Sequence, residues 1–264
     1  MTGNISSGGK APTQKLKGKV ALVTGASKRI GRAIAIALAE EGVHIVAHDR
    51  KAQETETRKV CDEVTDCGAK AWRVMADLEK PEEYESLIVQ AQKAAGGLDI
   101  LINNASIFLP GTVMDAGFSD VMRHVQVNAW APFVLSRDFT RLARSGKIVN
   151  LLDSRITGRD QTHMAYLLSK QMLASLTRLC ALEFAPAFTV NGVAPGLILP
   201  PAGKDETYLD RLAEKVPLRK HGGPQDIADA VLYLLKSDYV TGQIIYVDGG
   251  RHLLEEGHGP DPDK

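Results

Sequence analysis

Tyr166 and Lys170 stand four residues apart in "YLLSK", a spacing that puts two side chains on one face of a helix. A phenol beside an ammonium makes a proton-transfer pair, because the positive charge favours phenolate and draws the tyrosine pKa down from about 10. Thirteen residues before the tyrosine stands Asp153, a carboxyl group able to hold or release a proton nearby. In a chain of 264 residues with six tyrosines, a Tyr-x-x-x-Lys pair also arises by chance, as an exposed helix pair without a role. What separates the two readings is where the fold puts the pair.

Short apolar runs alternate with amphipathic stretches along most of the chain. "KVALVT", "HIVAHD", "AWRVMA", "LDILINN", "KIVNLL", "FTVNGVA" and "QIIYVDGG" read as seven strands. Helical periodicity lies between most of them, near 31–41, 52–66, 81–95, 117–141, 162–185 and 224–236. This rhythm predicts an α/β fold: a single-domain, Rossmann-like, doubly wound parallel sheet covered by helices on both faces. Its binding crevice lies outside the carboxyl ends of the strands, and Tyr166 and Lys170 fall on the helix after the fifth strand, at that crevice.

Lys+Arg equals Asp+Glu at 32 each, so there is no global field to attract nucleic acid or an anionic membrane, and the expected partner is a small molecule. Cys61, Cys67 and Cys180 match neither a metal spacing nor a disulfide framework. No metal site is expected. With no signal-like apolar segment and no run of eighteen apolar residues, a cytoplasmic location is expected. Residues 1–15 and 253–264 are Gly, Ser, Pro and charge rich and are expected to be disordered ends around a 16–252 domain.

The first strand runs through "TGASKRIG" into an amphipathic helix. Gly25 and Gly31 allow a tight turn there, and the exposed N–H groups of the first helical turn attract a phosphate. A plain helix entry built from turn residues would look the same. Asp77, at the end of the third strand, could accept a hydrogen bond from an adenine amino group or simply cap a helix.

From about residue 17 to 252 the chain resembles the short-chain dehydrogenase/reductases, carrying "TGASKRIG", "NNAS", "VNAWAP", "YLLSK", "VNGVAPG" and "TGQIIYVDGG" in family order. The resemblance implies a nicotinamide cofactor bound by Gly25, Ser27, Lys28, Arg29, Ile30 and Gly31 in the loop, and by Asp77 and Leu78 after the third strand. Asn104, Ala105 and Ser106 after the fourth strand and Pro195 and Gly196 after the sixth complete that set. Lys170 would also hold the nicotinamide ribose, and Asn128 would anchor a water in the proton relay. As a lone residue, Asn128 reads equally as a satisfied buried amide.

Two departures from the family narrow the resemblance to its pteridine reductases. Arg29 replaces a usual glycine, and Asp153 replaces a serine that polarises a carbonyl. A carboxylate there would repel a developing alkoxide, whereas it suits a ring nitrogen base to which Asp153 and Tyr166 deliver protons. Ser154, one step along the strand, is expected to face away. Ser106 and Phe108 take the places of a serine at the phosphate or pterin and a phenylalanine that stacks on the pterin. Arg29 and Leu197 complete the implied substrate contacts, and the insertion at about 197–222 is the implied substrate lid.

Asp49 ends the second strand and argues for NAD(H), because an acid there bonds the adenosine ribose. Lys28, Arg50 and Lys51 supply charge for a 2′-phosphate and argue for NADP(H), which is the expectation, with NAD(H) the alternative. The leading functional expectation is reduction of a pterin or related planar N-heterocycle. A carbonyl reductase acting on a ketone, sugar or 3-oxoacyl group is the second, and a non-catalytic dinucleotide sensor the third. The resemblance further implies a homotetramer.

Overall fold

The computed structural model describes residues 15–158, 160–201 and 203–254. Seven strands form one parallel sheet in the order β3-β2-β1-β4-β5-β6-β7. They are β1 (Val20–Thr24), β2 (His44–Asp49), β3 (Ala71–Met75), β4 (Ile100–Asn103), β5 (Gly146–Leu151), β6 (Phe188–Pro195) and β7 (Ile244–Val247). The order reverses between β1 and β4, so two crossovers leave in opposite directions and open a crevice at the carboxyl edge of the sheet.

The central strands are apolar at nearly every position because both of their faces are covered. Ala21 and Val23 of β1 point to one layer and Leu22 to the other, as the two-residue pleat requires. On the first face, Ile34 and Leu38 of α1 (Arg29–Glu40) pack with Ile227, Val231 and Leu234 of α9 (Pro224–Lys236). On the second, Leu22, Leu101 and Ile148 meet Leu87 of α4 (Leu87–Ala95) and Leu135 and Phe139 of α6 (Ala131–Leu142).

The remaining helices are α2 (Glu54–Asp66), α3 (Pro81–Tyr84), α5 (Phe118–Val125), α7 (Met164–Glu183) and α8 (Glu206–Ala213). The expected helix at 117–141 is broken into α5 and α6 by a π turn at Gln126–Trp130. The periodicity also gave no sign of α8, which lies within the 197–222 insertion. That insertion is pinned at its base, where Gly222 N–H donates to Leu197 O at 2.9 Å.

Most of the segments expected to be disordered lie outside the described residues. Lys15 is described and pairs with Asp238 at 2.5 Å, and Leu253 closes a 3-10 turn at Arg251–Leu253. Among the described residues no helix is long and apolar enough to cross a membrane, and no group of three or more His, Cys, Asp or Glu could hold a metal ion.

Candidate active site

The crevice at the carboxyl edge holds a cavity of about 1250 Å³, running from Lys28, Asp49 and Arg50 at one end to Phe108, Tyr166 and the 197–222 insertion at the other. The glycine loop at the first end closes on itself. A Cβ on Gly31 would lie 2.1 Å from the Gly25 carbonyl oxygen and 2.5 Å from Asn104 Nδ2, so only glycine fits. Asn104 Nδ2 donates to Thr24 O at 2.8 Å and Gly25 O at 3.1 Å, bracing the loop rather than leaving its amide free. Arg29 sits at φ +54°, a region that favours glycine, and its guanidinium donates to Pro200 O at 3.0 Å. The arginine thereby ties the loop to the insertion.

Asp49 faces into this loop. Ser27 Oγ and N–H both donate to its Oδ2, and Arg50 N–H donates to Oδ1 at 2.8 Å. The carboxylate is therefore turned toward the loop, while Lys28 and Arg50 line the cavity. Asp77 and Leu78 line it too, with Asp77 Oδ1 accepting from Glu79 N–H at 3.0 Å as a turn cap. Of the expected cofactor residues, Ser27 and Lys51 do not line the cavity. Ser27 is buried as the brace of Asp49, and Lys51 is exposed on the 3-10 turn Lys51–Gln53.

At the other end, Tyr166 and Lys170 share one face of α7, both buried. A helix without Gly or Pro over twenty residues sets their spacing, and Asp160 caps its approach by accepting from the N–H groups of Thr162 and His163 at 2.8 and 3.1 Å. Lys170 Nζ donates to Leu151 O at 2.7 Å. Two of its three hydrogens thus remain for ribose hydroxyls. Burial lowers this ammonium to about 8, against the opposing pull of Asp153.

The expected lowering of the Tyr166 pKa by Lys170 does not occur in this geometry. The ammonium lies 5.8 Å from the phenol ring centroid, and the hydroxyl donates instead to Asp153 Oδ2 at 2.8 Å. Burial, and then the carboxylate charge, raise the phenol well above its ordinary value, with Arg155 opposing them.

Nor does Asp153 carry the donatable proton that the sequence predicts: Arg155 forks it, Nε to Oδ1 at 3.0 Å and an Nη to Oδ2 at 2.9 Å. The backbone N–H of Arg155 adds a bond to Oδ1 at 2.8 Å. Burial pushes the carboxyl up, yet Arg155's charge and hydrogen bonds outweigh it and hold Asp153 below the usual carboxylate range. It is an ionised acceptor. The other Nη of Arg155 reaches Asp160 at 2.5 Å, and its guanidinium carbon lies 4.8 Å from the Phe108 centroid and 5.4 Å from that of Tyr166.

Phe108 stacks on His163 with centroids 4.0 Å apart and meets Tyr166 edge-on at 4.7 Å. Ser106 Oγ donates to Asn128 Oδ1 at 3.0 Å. Asn128 is wholly buried in the π turn, and protein partners engage all of its side chain. Oδ1 accepts from Ser106 and Ile107, and Nδ2 donates to Ile107 O and Ser169 Oγ. The side chain has no capacity left for a further partner, and it clamps the 106–107 loop.

Ser154 also departs from expectation. β5 ends at Leu151, and Ser154 opens a 3-10 turn (Ser154–Thr157) capped by Asp153. It lines the cavity beside Asp153, buried, and its hydroxyl finds no hydrogen-bond partner among the described residues. Pro195, Gly196 and Leu197 line the cavity at the end of β6, as expected. Sequence reasoning missed Arg155, Asp160 and His163. The signal was present in "DSRITGRD", where a basic residue stands between two acids just before the tyrosine.

The match to known proteins is as broad as the motifs. Residues 25–252 fit the family described as enoyl-(acyl carrier protein) reductase. The chain belongs to the short-chain dehydrogenase/reductase family. It is an NAD(P)-dependent oxidoreductase of that family. A 3-oxoacyl-(acyl-carrier-protein) reductase of Staphylococcus epidermidis is 32% identical over 243 residues, covering 89% of this chain and 99% of its own. Among solved structures, the FolM alternative dihydrofolate reductase 1 of Brucella canis, complexed with NADP, superposes with a TM-score of 0.87 at 31% identity, over 95% of this chain and 99% of that one. The Brucella suis protein of the same name, in complex with NADP, gives 0.86 at 32%, over 92% and 98%. Structural resemblance thus runs to the pteridine reductase-like branch, while the chain also has a relative named for 3-oxoacyl chemistry.

Proposed function

We propose that this short-chain reductase uses NADPH to reduce a pterin or a similar planar ring containing a C=N bond. The observation that carries the reading is the ionised Asp153, bonded to the Tyr166 hydroxyl at 2.8 Å at the end of the cavity lined by Phe108. A fixed carboxylate stabilises positive charge on a ring nitrogen that takes up a proton, and it destabilises the alkoxide of a reduced ketone. Bound nicotinamide would supply hydride to the ring carbon. Tyr166 would give its proton to the adjacent nitrogen, with Arg155 offsetting the charge left beside Asp153, and solvent would restore the proton. Phe108 would face the ring, and the 197–222 segment with Leu197 would close over it as a lid.

For the cofactor, Asp49 turned toward Ser27 and the cations Lys28 and Arg50 at the cavity wall support NADP(H) over NAD(H). The NADP complexes of the two Brucella proteins support the same preference. Gly25, Gly31, Asn104 and Ala105 would shape the phosphate and ribose sites, and Lys170 would hold the nicotinamide ribose. We further propose a homotetramer in the cytoplasm. Exposed Phe118 on α5 and Leu179 and Leu182 on α7, at 82, 61 and 79% exposure, offer the apolar surface that such an assembly would bury.

Carbonyl reduction is the second reading, and Ser154 favours it: an unpartnered buried hydroxyl in the cavity could polarise a carbonyl. Two variants separate the readings. Ser154→Ala should leave dihydropterin turnover within about twofold, while Asp153→Asn should lower it by two orders of magnitude or more, in the range of lost electrostatic stabilisation. The opposite pattern, with a ketone as the better substrate, would overturn the proposal.

A further inference from the structure

The carboxylates Asp153 and Asp160 at the reacting end of the cavity, and Asp248 behind it, are engaged by the protein itself. Both oxygens of Asp153 are forked by Arg155, which also holds Asp160. Asp248, just beyond β7, accepts from the backbone N–H groups of Gly250 and His252 at 3.0 and 2.7 Å, and lies 2.9 Å from the His252 ring. A cation lining the same cavity has no such arrangement among the described residues. Arg251 opens the turn Arg251–Leu253, which packs against the Ser154–Thr157 turn, and its side chain lines the cavity with Tyr208 and Leu254. Its guanidinium forms no ion pair or hydrogen bond among the described residues.

A partly buried guanidinium that makes no direct ion pair among the described residues is costly, and here Arg155 adds like charge nearby. Burial first, then Arg155, lower the Arg251 pKa, against the pull of Asp153, Tyr208 and Asp248. A ligand oxyanion would relieve both effects. Lys215, exposed along the insertion, lines the same cavity and adds charge of the same sign. The planar fork of an arginine matches the two oxygens of a carboxylate or phosphate.

We propose that Arg251 recognises a terminal oxyanion, carboxylate or phosphate, carried on an arm of the substrate whose ring is reduced at Tyr166. The inference rests on the ring-reduction reading above and adds the charge class of the substrate. Arg251 selects among rings by what is attached to them.

Two matched pairs test this with NADPH and the full chain: dihydrofolate against its dimethyl ester, and dihydroneopterin phosphate against dihydroneopterin. The expected result is at least a tenfold preference in kcat/KM for the charged member of one pair, expressed mainly in KM. In Arg251→Met that ratio should collapse toward one, and Arg251→Lys should restore part of it. Whichever pair shows the preference identifies the oxyanion. A wild-type ratio near one in both pairs, or a ratio that survives in Arg251→Met, overturns the inference while leaving ring reduction intact. If the wild-type protein consumes neither ring in either pair, the ring-reduction reading fails, and this inference with it.

Discussion

Replacing Arg155 by methionine keeps most of the volume of the side chain and removes the fork on Asp153. Both side chains are largely buried, at 19 and 15% exposure, so little solvent screening moderates the effect. Breaking a buried ion pair from one side costs about 3–5 kcal/mol, because the remaining charge is left without its partner. Asp153 would keep the backbone N–H of residue 155 and the Tyr166 hydroxyl, which argues for the lower end, about 3 kcal/mol. In a domain of this size that corresponds to a fall in Tm of roughly 6–12 °C.

The sign with pH follows from Asp153. Its folded pKa lies below the unfolded value, so its contribution is present above about pH 4 and is lost as pH falls through the folded pKa. Without Arg155, burial would raise the folded pKa above the unfolded one, and the variant would gain stability relative to wild type as acid protonates the carboxyl. Thermal unfolding of both proteins from pH 8 down to pH 4.5 should therefore show the widest gap at neutral pH and a narrowing gap toward acid. In an Asp153→Asn background the Arg155→Met change should cost less, the remainder being the lost pair with the buried Asp160. A fall under 2 °C at neutral pH, or a gap independent of pH, would refute the ionised-acceptor assignment of Asp153.

Three further outcomes are expected. The double change Lys28→Ala and Arg50→Ala should lower kcat/KM for NADPH at least tenfold and leave NADH within about threefold, measured from initial rates; equal losses would show that these cations do not read a 2′-phosphate. Because the Lys170 ammonium is lowered to about 8 by burial, NADPH binding followed by fluorescence should weaken as pH rises through that value, and Lys170→Arg should abolish this limb; a flat profile in wild type would contradict the role. Light scattering should give a mass near four chains, and a mass near one chain would remove the homotetramer.

Most of the fold could be read from the sequence because a parallel sheet covered on both faces needs apolar strands in a fixed rhythm, and all seven runs fall within three residues of the observed strands. The π turn at Gln126–Trp130 and the helix α8 could not, since neither disturbs that rhythm. In the site, the positions were legible and the protonation states were not. The spacing of Asp153, Tyr166 and Lys170 announces a proton site, but which group holds the proton depends on Arg155, two residues from Asp153, folding back on a short turn to reach it. Likewise Ser154 was assigned to a strand that ends three residues earlier, so its buried hydroxyl became visible only in three dimensions.

On the reading we propose, an ionised carboxylate beside the Tyr166 phenol suits the site to ring nitrogen rather than to carbonyl oxygen. Initial rates of NADPH oxidation with dihydrobiopterin, dihydrofolate and a simple or 3-oxoacyl ketone test it most directly. At least one of the two dihydropterins should exceed every ketone in kcat/KM by tenfold or more. Brisk turnover of a ketone with neither pterin consumed would contradict it.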